Sequence, residues 1–303
     1  MKYYKQHMQI FLQRIGCDNM EKYGIGFWGL STLANDDFSR IDIAKKLGFN
    51  SIDVDLTKIK DDISDIKLKE YYNKIYNYGK ENGIDFFQTH APYTSFPNYI
   101  LSKYFKSIIR SIKITSYLHC KYMVLHPQIF DQVNYNANFD DKELEFNIEF
   151  IKKLIPYLKK YNVKLCVENV YDWDKSVNPK KIRLVYYSYP ENLRKLIDKI
   201  DSPYVGICLD TGHMNLAKVL QSKAIEIFND KLFVLHIHDN YGVKDDHFRI
   251  NEGNINWQDF FNGLKKINYS GVFNLEIKPL STEIDFYQKA IDDLKLKVQK
   301  YYD

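Results

Sequence analysis

The sequence has no apolar run of membrane-spanning length. A transmembrane helix needs roughly 18 or more consecutive apolar residues, and no segment of this chain approaches that length. The N-terminal stretch MKYYKQHMQIFLQRIGC also lacks the apolar core of a secretory signal peptide. We therefore expect a soluble, cytoplasmic protein that has no membrane partner.

Cysteine is scarce, and its spacing matches neither a zinc finger nor a disulfide framework. Cys166 and Cys208 lie within apolar, strand-like runs, where a reduced thiol packs as a small hydrophobic side chain. The other two cysteines are Cys17 and Cys120. This usage indicates a reducing compartment.

The chain also has little excess of charge of either sign. It contains 43 Lys and Arg residues and 39 Asp and Glu residues, a net charge of +4. Dedicated nucleic-acid-binding proteins usually show a stronger basic bias or a basic stripe. The balance disfavours a nucleic-acid partner without excluding a local basic patch. Apolar residues, in contrast, make up 45% of the chain, which is ample for a large core.

Eight apolar runs of strand length alternate with longer amphipathic segments. The segments NYILSKYFKSIIRSIKITSYLHC and NIEFIKKLIPYLKKYN repeat apolar residues every three to four positions, as helices do, and Asn82-Gly83 is typical of a helix stop. The eight runs, rich in Val, Ile, Phe and Tyr, are YGIGFWGL (23–30), SIDVDL (51–56), DFFQTH (85–90), KYMVLH (121–126), KLCVENV (164–170), VGICLD (205–210), LFVLHIHDN (232–240) and GVFNLEIK (271–278).

Eight strand-then-helix units predict an α/β protein with a parallel sheet, which closes on itself in the (β/α)₈ TIM barrel. Such barrels have about 250 residues, so the 303 residues fit one domain spanning 1–303, with residues 1–22 as an N-terminal extension. No linker or low-complexity tract divides the chain.

One connection is much longer than the others. The segment YDWDKSVNPKKIRLVYYSYPENL, residues 171–193, follows the fifth run, whereas most connections of this kind have about 2–6 residues. We predict that this insertion is a lid or a binding loop. The alternative is a surface excursion without a role.

Polar residues of the kind that bind metals end six consecutive runs. In a parallel barrel these strand ends face one opening, so their side chains converge. A buried carboxylate or imidazole costs several kcal/mol unless it is paired or bound to a metal, and a divalent cation would remove that cost. The residues are His90, His126, Glu168, Asp210 followed by His213, His236 followed by His238, and Glu276.

Each of these residues taken alone also fits a structural role, such as a hydrogen-bonded core histidine or half of a buried ion pair. Their shared register is what favours a site. His7 and His119 lie off that register, and we predict surface or helix positions for both. The candidate ligands offer nitrogen and oxygen but no sulfur, which favours Mn²⁺, Zn²⁺, Co²⁺ or Mg²⁺ over an iron–sulfur cluster or a thiolate zinc site.

The order of the motifs resembles the xylose-isomerase-like barrels, which include sugar phosphate isomerases and epimerases and the endonuclease IV group of apurinic/apyrimidinic endonucleases. The resemblance covers about residues 20–295, and CLDTGH and HIHDN are its most specific pieces. The motifs are QTHAPY, VLHP, VEN, GICLDTGHMNLA, LHIHDN, DDHF, NEGNINW and NLEIK.

The resemblance implies a metal site and offers two versions of it. In the epimerase and isomerase branch four residues hold one divalent metal; here they are Glu168, Asp210, His236 and Glu276. In the endonuclease branch nine ligands hold three zinc ions, and this chain has the matching residue types. The additional five are His90, His126, His213, Asp245 and His247.

Several details favour the sugar branch. DTGHMNLA has Gly212 where the endonucleases typically carry cysteine, and HAPYTSFPNY lacks their Asn-Leu stretch. The nearly neutral charge agrees. NEGNINW departs from the sugar branch, because Asn251 replaces a frequent glycine.

We therefore predict a metal-dependent isomerase or epimerase that acts on a small, sugar-like polyhydroxy carbonyl compound through an enediolate. Glu168 and Glu276 are the predicted acid/base pair. Dehydration of a cyclic hydroxy acid is a related option. The predicted substrate contacts are His90, His213, Trp173 and Asn169, with Tyr171 beside Trp173 on the insertion.

Two other functions stay open at this point. One is phosphodiester cleavage at abasic DNA by three zinc ions, in which NPKKIRLVYY would contact the backbone. The other is a non-catalytic sugar-binding barrel, which the intact carboxylates disfavour. The sequence does not name the substrate, a phosphate requirement, the metal or the oligomeric state.

Overall fold

The barrel strands form where the apolar runs predict them. The computed structural model describes residues 22–59, 62–93, 101–130, 139–174 and 181–303. Eight of the strands form one sheet, and two lie within the long insertion. In chain order the strands are β1 (Tyr23–Gly26), β2 (Ser51–Asp55), β3 (Asp85–His90), β4 (Tyr122–Leu125), β5 (Lys164–Glu168), β6 (Tyr171–Asp174), β7 (Lys181–Leu184), β8 (Val205–Asp210), β9 (Leu232–His236) and β10 (Phe273–Leu275).

The large sheet is parallel throughout and closes on itself. Its order is β10-β1-β2-β3-β4-β5-β8-β9. A parallel bridge between Ile237 and Leu275 joins the two end strands, and the Ile237 amide donates to the Asn274 carbonyl at 2.8 Å. The predicted (β/α)₈ barrel is confirmed.

Helices surround the barrel and bury its outer face. Asp36 caps the first helix by accepting the Ser39 amide, and Gly48 ends it at φ 88°. The predicted stop at Asn82-Gly83 is confirmed, since Asn82 follows the second helix. The described helices are α1 (Asp37–Leu47), α2 (Asp65–Glu81), α3 (Leu101–Tyr117), α4 (Phe139–Tyr161), α5 (Pro190–Ile200), α6 (Thr211–Leu216), α7 (Gln221–Phe228), α8 (Trp257–Lys266) and α9 (Ile284–Tyr301), with short 3₁₀ turns at Tyr186–Ser188 and Asn229–Lys231.

The apolar core has two layers. The larger layer lies between strands and helices and includes Ile75, Ile108 and Leu154, all fully buried. A smaller layer fills the barrel interior with Val124, Cys166, Cys208 and Val234, each 0% exposed. Complete burial of such side chains stabilises the fold by about 1.5–3 kcal/mol each. The three cysteines among the described residues are free and buried.

The long insertion contains regular structure that its sequence did not reveal. β6 and β7 pair as antiparallel strands, with Trp173 opposite Ile182, and the Asp172 carboxylate pairs with Arg183 across them. Residues 175–180 between the strands lie outside the described residues. Isolated two-stranded ribbons are marginal in water, which is why four-residue runs give a weak sequence signal.

Other predictions have mixed outcomes. His119 is exposed at the turn after α3, as predicted. His7, Cys17 and residues 1–21 of the predicted N-terminal extension lie outside the described residues, so that extension stays a prediction. Across the described ranges, no helix is both long and apolar enough to span a membrane.

Candidate metal centre

Four residues gather at the C-terminal rim of the barrel. Glu168 ends β5, Asp210 ends β8, His236 ends β9 and Glu276 directly follows β10. One ligand atom from each lies within 4.8 Å of the others. Parallel strands bring these side chains together although they are far apart in sequence.

His236 marks the centre of this group. Its Nδ1 atom is 3.2 Å from Glu168 Oε1 and 3.2 Å from Glu276 Oε2. Asp210 is also the N-cap of α6, where Oδ1 accepts the His213 amide at 2.7 Å. Strand end and helix cap together fix the orientation of this carboxylate.

Three further histidines are oriented by the backbone. His90 and His213 direct Nδ1 at the carbonyl oxygens of Ala91 and Asn169, both at 2.8 Å. His247 Nδ1 is 2.7 Å from the Glu276 carbonyl oxygen. A carbonyl oxygen only accepts, so Nδ1 carries the proton in each ring. Each Nε2 atom is therefore free to act as a metal ligand, as is usual for zinc-binding histidines.

The remaining candidate ligands form two groups beside the first. One group consists of His90, His126 and Glu168, and Glu168 Oε2 lies 3.3 Å from His90 Nε2 and 3.1 Å from His126 Nε2. Glu168 therefore belongs both to this group and to the first. The other group contains Asp245, whose Oδ2 is 2.9 Å from His247 Nε2. Its members are His213, His238, Asp245 and His247.

The donors fit a divalent cation. All the predicted ligands offer nitrogen or oxygen, which suits Mn²⁺, Zn²⁺, Co²⁺ or Mg²⁺. The Asp245 Oδ1 atom is buried without a hydrogen-bond partner among the described residues, and such an atom is costly unless an ion satisfies it. The cation would be held by Glu168, Asp210, His236 and Glu276, with the two neighbouring groups able to hold others.

The electrostatics show how crowded the charges are. Burial alone would raise the pKa of Glu168, but the imidazoles of His236 and His126 bring it well below its usual value. Burial, together with the Glu168 and Asp210 carboxylates, raises the pKa of Glu276. Burial opposes protonation of His90 and His247, yet Glu168 and Asp245 raise the pKa of these rings to about 9. Protons on imidazoles thus balance the carboxylates when no cation is bound.

His238 is among the polar residues predicted at the rim, but no role as a ligand or substrate contact was predicted for it. This ring is fully buried, and its Nε2 is 3.0 Å from both Asp210 oxygens. The ring also stacks on His247 with centroids 3.9 Å apart. Its spacing from His236 could have predicted this position, because residues two apart on a strand lie on the same face.

Asn169, another predicted substrate contact, bonds the backbone of Asp210. Its side-chain amide donates to the Asp210 carbonyl at 3.0 Å and accepts the Asp210 amide at 2.8 Å. Both ends are used and the residue is fully buried. The geometry therefore makes Asn169 a clamp on the Asp210 backbone.

A cavity of about 560 Å³ opens above the ligands. Three of the predicted substrate contacts line it, namely His90, His213 and Trp173, and Trp173 is 39% exposed. Tyr171 donates to Asp245 Oδ2 at 3.1 Å, which ties the insertion to the site. The aromatic residues that line the cavity are Phe27, Trp28, Tyr93, Tyr171 and Trp173.

Gly212 makes room for the His238 ring. A Cβ atom at this position would lie 1.9 Å from His238 Cε1 and 2.5 Å from Nδ1. We expect Gly212→Ala to displace the ring from Asp210 and to lower the free energy of unfolding by about 1–3 kcal/mol, as overpacking does.

Chemical denaturation measures this effect, and metal content should fall in the same variant. Gly26→Ala is the matched control, because Gly26 lines the same cavity and its nearest atom to a new Cβ would be 4.0 Å away. Equal stability and metal content in Gly212→Ala and the unmodified protein would contradict the prediction.

Fold and site together define the class of protein. The chain belongs to the xylose isomerase-like TIM barrel family, whose model matches residues 41–295.

Sequence relatives include both branches. The uncharacterized protein MJ1311 of Methanocaldococcus jannaschii is 29% identical over 163 residues, covering 53% of this chain and 52% of that protein, so the match spans about half the relative's length. A probable endonuclease 4 of Mycoplasmopsis pulmonis is 27% identical over 216 residues, 66% of this chain and 70% of that protein. D-psicose 3-epimerase of Enterocloster bolteae is 28% identical over 103 residues, 32% of this chain and 33% of that protein.

Solved structures share the fold. A D-tagatose 3-epimerase-like protein superimposes with a TM-score of 0.74 at 22% identity, covering 92% of this chain and 98% of its own. The IOLI protein, solved with a binding zinc atom, gives 0.73 at 19% identity, covering 93% and 99%.

Proposed function

We propose that the protein is a divalent-metal-dependent epimerase or isomerase of a small polyhydroxy carbonyl compound. The observation that carries this is the placement of two carboxylates around one nitrogen. Glu168 and Glu276 each put an oxygen 3.2 Å from His236 Nδ1. Their strands, β5 and β10, are three apart one way round the sheet and five the other, so the carboxylates approach from nearly opposite sides.

Two carboxylates in this arrangement suit removal and return of a proton. A bound divalent cation supplies Lewis-acid polarisation of the substrate carbonyl. Glu168 takes the proton from the carbon beside the carbonyl on one face of the substrate. Glu276 returns a proton on the other face, and the configuration at that carbon inverts. With its Nδ1 proton directed at the Asn169 carbonyl, His213 accepts a hydrogen bond from a substrate hydroxyl at Nε2.

The cavity supports a small substrate. Its aromatic lining offers flat apolar surfaces to the C–H faces of a sugar, and charged and polar side chains line the cavity as well. The relatives include a D-psicose 3-epimerase, and the structural neighbours include a D-tagatose 3-epimerase-like protein. The insertion carries Tyr171 and Trp173 at the cavity edge, which agrees with a role as a lid.

Cleavage of abasic DNA is the second candidate, and one observation favours it. All nine ligand types of the endonuclease branch are present, and they gather into three adjacent groups. The match to a probable endonuclease 4 covers 66% of this chain. We rank it second, because the cavity, at about 560 Å³, has the volume typical of small-molecule sites.

Proton exchange tests the proposal directly. The protein, loaded with Mn²⁺, is incubated in D₂O with a panel of ketopentoses and ketohexoses, and NMR follows deuterium at the carbon beside the carbonyl. We expect exchange and formation of the epimer with at least one sugar. An oligonucleotide with one abasic site, incubated in parallel, should stay uncut. Nicking of that oligonucleotide without any sugar exchange would replace the proposal with the second candidate.

A further inference from the structure

Asp53 is a buried carboxylate beneath the candidate metal centre, and the predicted ligand set does not include it. It lies on β2 and is 5% exposed. The register between β2 and β3 shifts between Ile52 and Asp53, so that Asp53 pairs with Gln88. Bulges of this kind re-aim side chains next to active sites. Here the shift places Asp53 and Gln88 on the same face of the sheet, inside the barrel.

The carboxylate joins four strands through one oxygen. Asp53 Oδ2 accepts from Gln88 Nε2 on β3 at 2.9 Å and from Asn274 Nδ2 on β10 at 3.4 Å. It lies 3.2 Å from His236 Nε2 at the end of β9. Two amide donors thus hold Oδ2 in place against the His236 ring.

This contact determines which ring nitrogen of His236 has a lone pair available for a metal ion. A carboxylate oxygen that already accepts two amide hydrogens faces Nε2, so the proton of the ring belongs on Nε2. The lone pair is then on Nδ1, the atom that faces Glu168 Oε1 and Glu276 Oε2. A carboxylate behind a ligating histidine fixes its tautomer and orientation and makes the ring a stronger ligand.

We propose that Asp53 is a positioning residue for the metal ligand His236, and that it sets the affinity of the centre for its cation. This inference rests on the proposed metal-dependent function. A purely structural explanation accounts less well for Asp53, since its Oδ1 is buried without a partner among the described residues. An unsatisfied buried carboxylate oxygen lowers the stability of the fold. An apolar side chain of similar size would fill the same space without that cost.

The first test measures metal affinity. Asp53→Asn keeps the size of the side chain and removes its charge. We expect Zn²⁺ and Mn²⁺ to bind 10–100-fold more weakly, as for other outer partners of ligands, measured by competition with a chromophoric chelator. Asp239→Asn is the matched control. Asp239 is also buried, and its carboxylate accepts from Trp257 Nε1 at 3.1 Å and from the Asn240 and Ile255 amides rather than from His236.

A double-variant cycle separates positioning from general damage. If Asp53 acts through His236, then Asp53→Asn should weaken binding no further in a His236→Gln background. Equal losses in both backgrounds, or equal losses in Asp53→Asn and Asp239→Asn, would overturn the inference.

A second measurement needs no variant. In the zinc-loaded protein, ¹⁵N NMR of His236 should find the proton on Nε2 and zinc on Nδ1, and the reverse assignment would overturn the inference. If the unmodified protein binds no divalent metal, both the inference and the proposed function fall. If it binds metal and epimerises a sugar while Asp53→Asn binds metal equally well, only the inference falls.

Discussion

Replacing Glu276 by glutamine is expected to lower the turnover number by about 10²–10⁴-fold, the range typical of a positioned acid or base. The amide has the same shape as the carboxylate but can neither take up nor return a proton at the substrate carbon. Glu276 is also the more accessible of the two glutamates, with its side chain 22% exposed and that of Glu168 1% exposed. It is therefore the better placed to meet a substrate in the cavity.

Two controls make this result interpretable. Turnover is measured at saturating metal, with the metal content of each sample determined, because Glu276 is also a candidate ligand. Glu145→Gln makes the same chemical change on an exposed part of α4 and should leave the turnover number unchanged. Near-normal turnover in metal-loaded Glu276→Gln would remove this residue from the acid/base role.

Removal of the metal is expected to reduce activity to background, and adding Mn²⁺, Co²⁺ or Zn²⁺ back should restore it. Uptake should release protons, because carboxylates raise the pKa values of His90 and His247 to about 9 without a cation. A cation bound by Glu168 and Glu276, beside these two rings, would lower those pKa values again. Affinity should therefore increase as the pH rises from about 6.5 toward about 9. Calorimetry in buffers of different ionisation enthalpy counts the protons released.

The same pKa values predict the direction in which the stability of the metal-free protein changes with pH. A histidine whose folded pKa is raised stabilises the metal-free protein fully below its unfolded value of 6.5, and this contribution is lost as the pH rises through about 9. The melting temperature of the metal-free protein should thus fall over that interval, and that of the loaded protein should change less. Metal uptake without proton release, or with an affinity independent of pH, would contradict this picture of the centre.

The insertion shows where local patterns lose their predictive power. Residues 171–193 were predicted as a lid or binding loop, and the structure finds β6 and β7 there, pairing Trp173 with Ile182. A short antiparallel ribbon depends on the surface beneath it. The contact of Tyr171 with Asp245 comes from that surface and leaves no periodic signal in the sequence.

Local sequence patterns were enough to predict the barrel and most of the residues at its rim. Alternating apolar runs and amphipathic segments are local patterns, and they identified all eight barrel strands. A parallel barrel brings every strand end to one opening, so residues as distant as Glu168 and Glu276 could be grouped without coordinates. His236 and His238 also share a face by spacing alone, although only His236 was assigned as a ligand.

The contacts that cross the barrel could not be predicted from local patterns. The hydrogen bond between Asp53 and His236 joins residues 183 positions apart. It depends on a register shift between β2 and β3, which the sequence of the run SIDVDL does not predict. The room that Gly212 leaves for His238 and the clamp of Asn169 on Asp210 are of the same kind. Strand periodicity determines which face a side chain occupies, whereas its partner across the barrel is set by how the closed sheet is staggered.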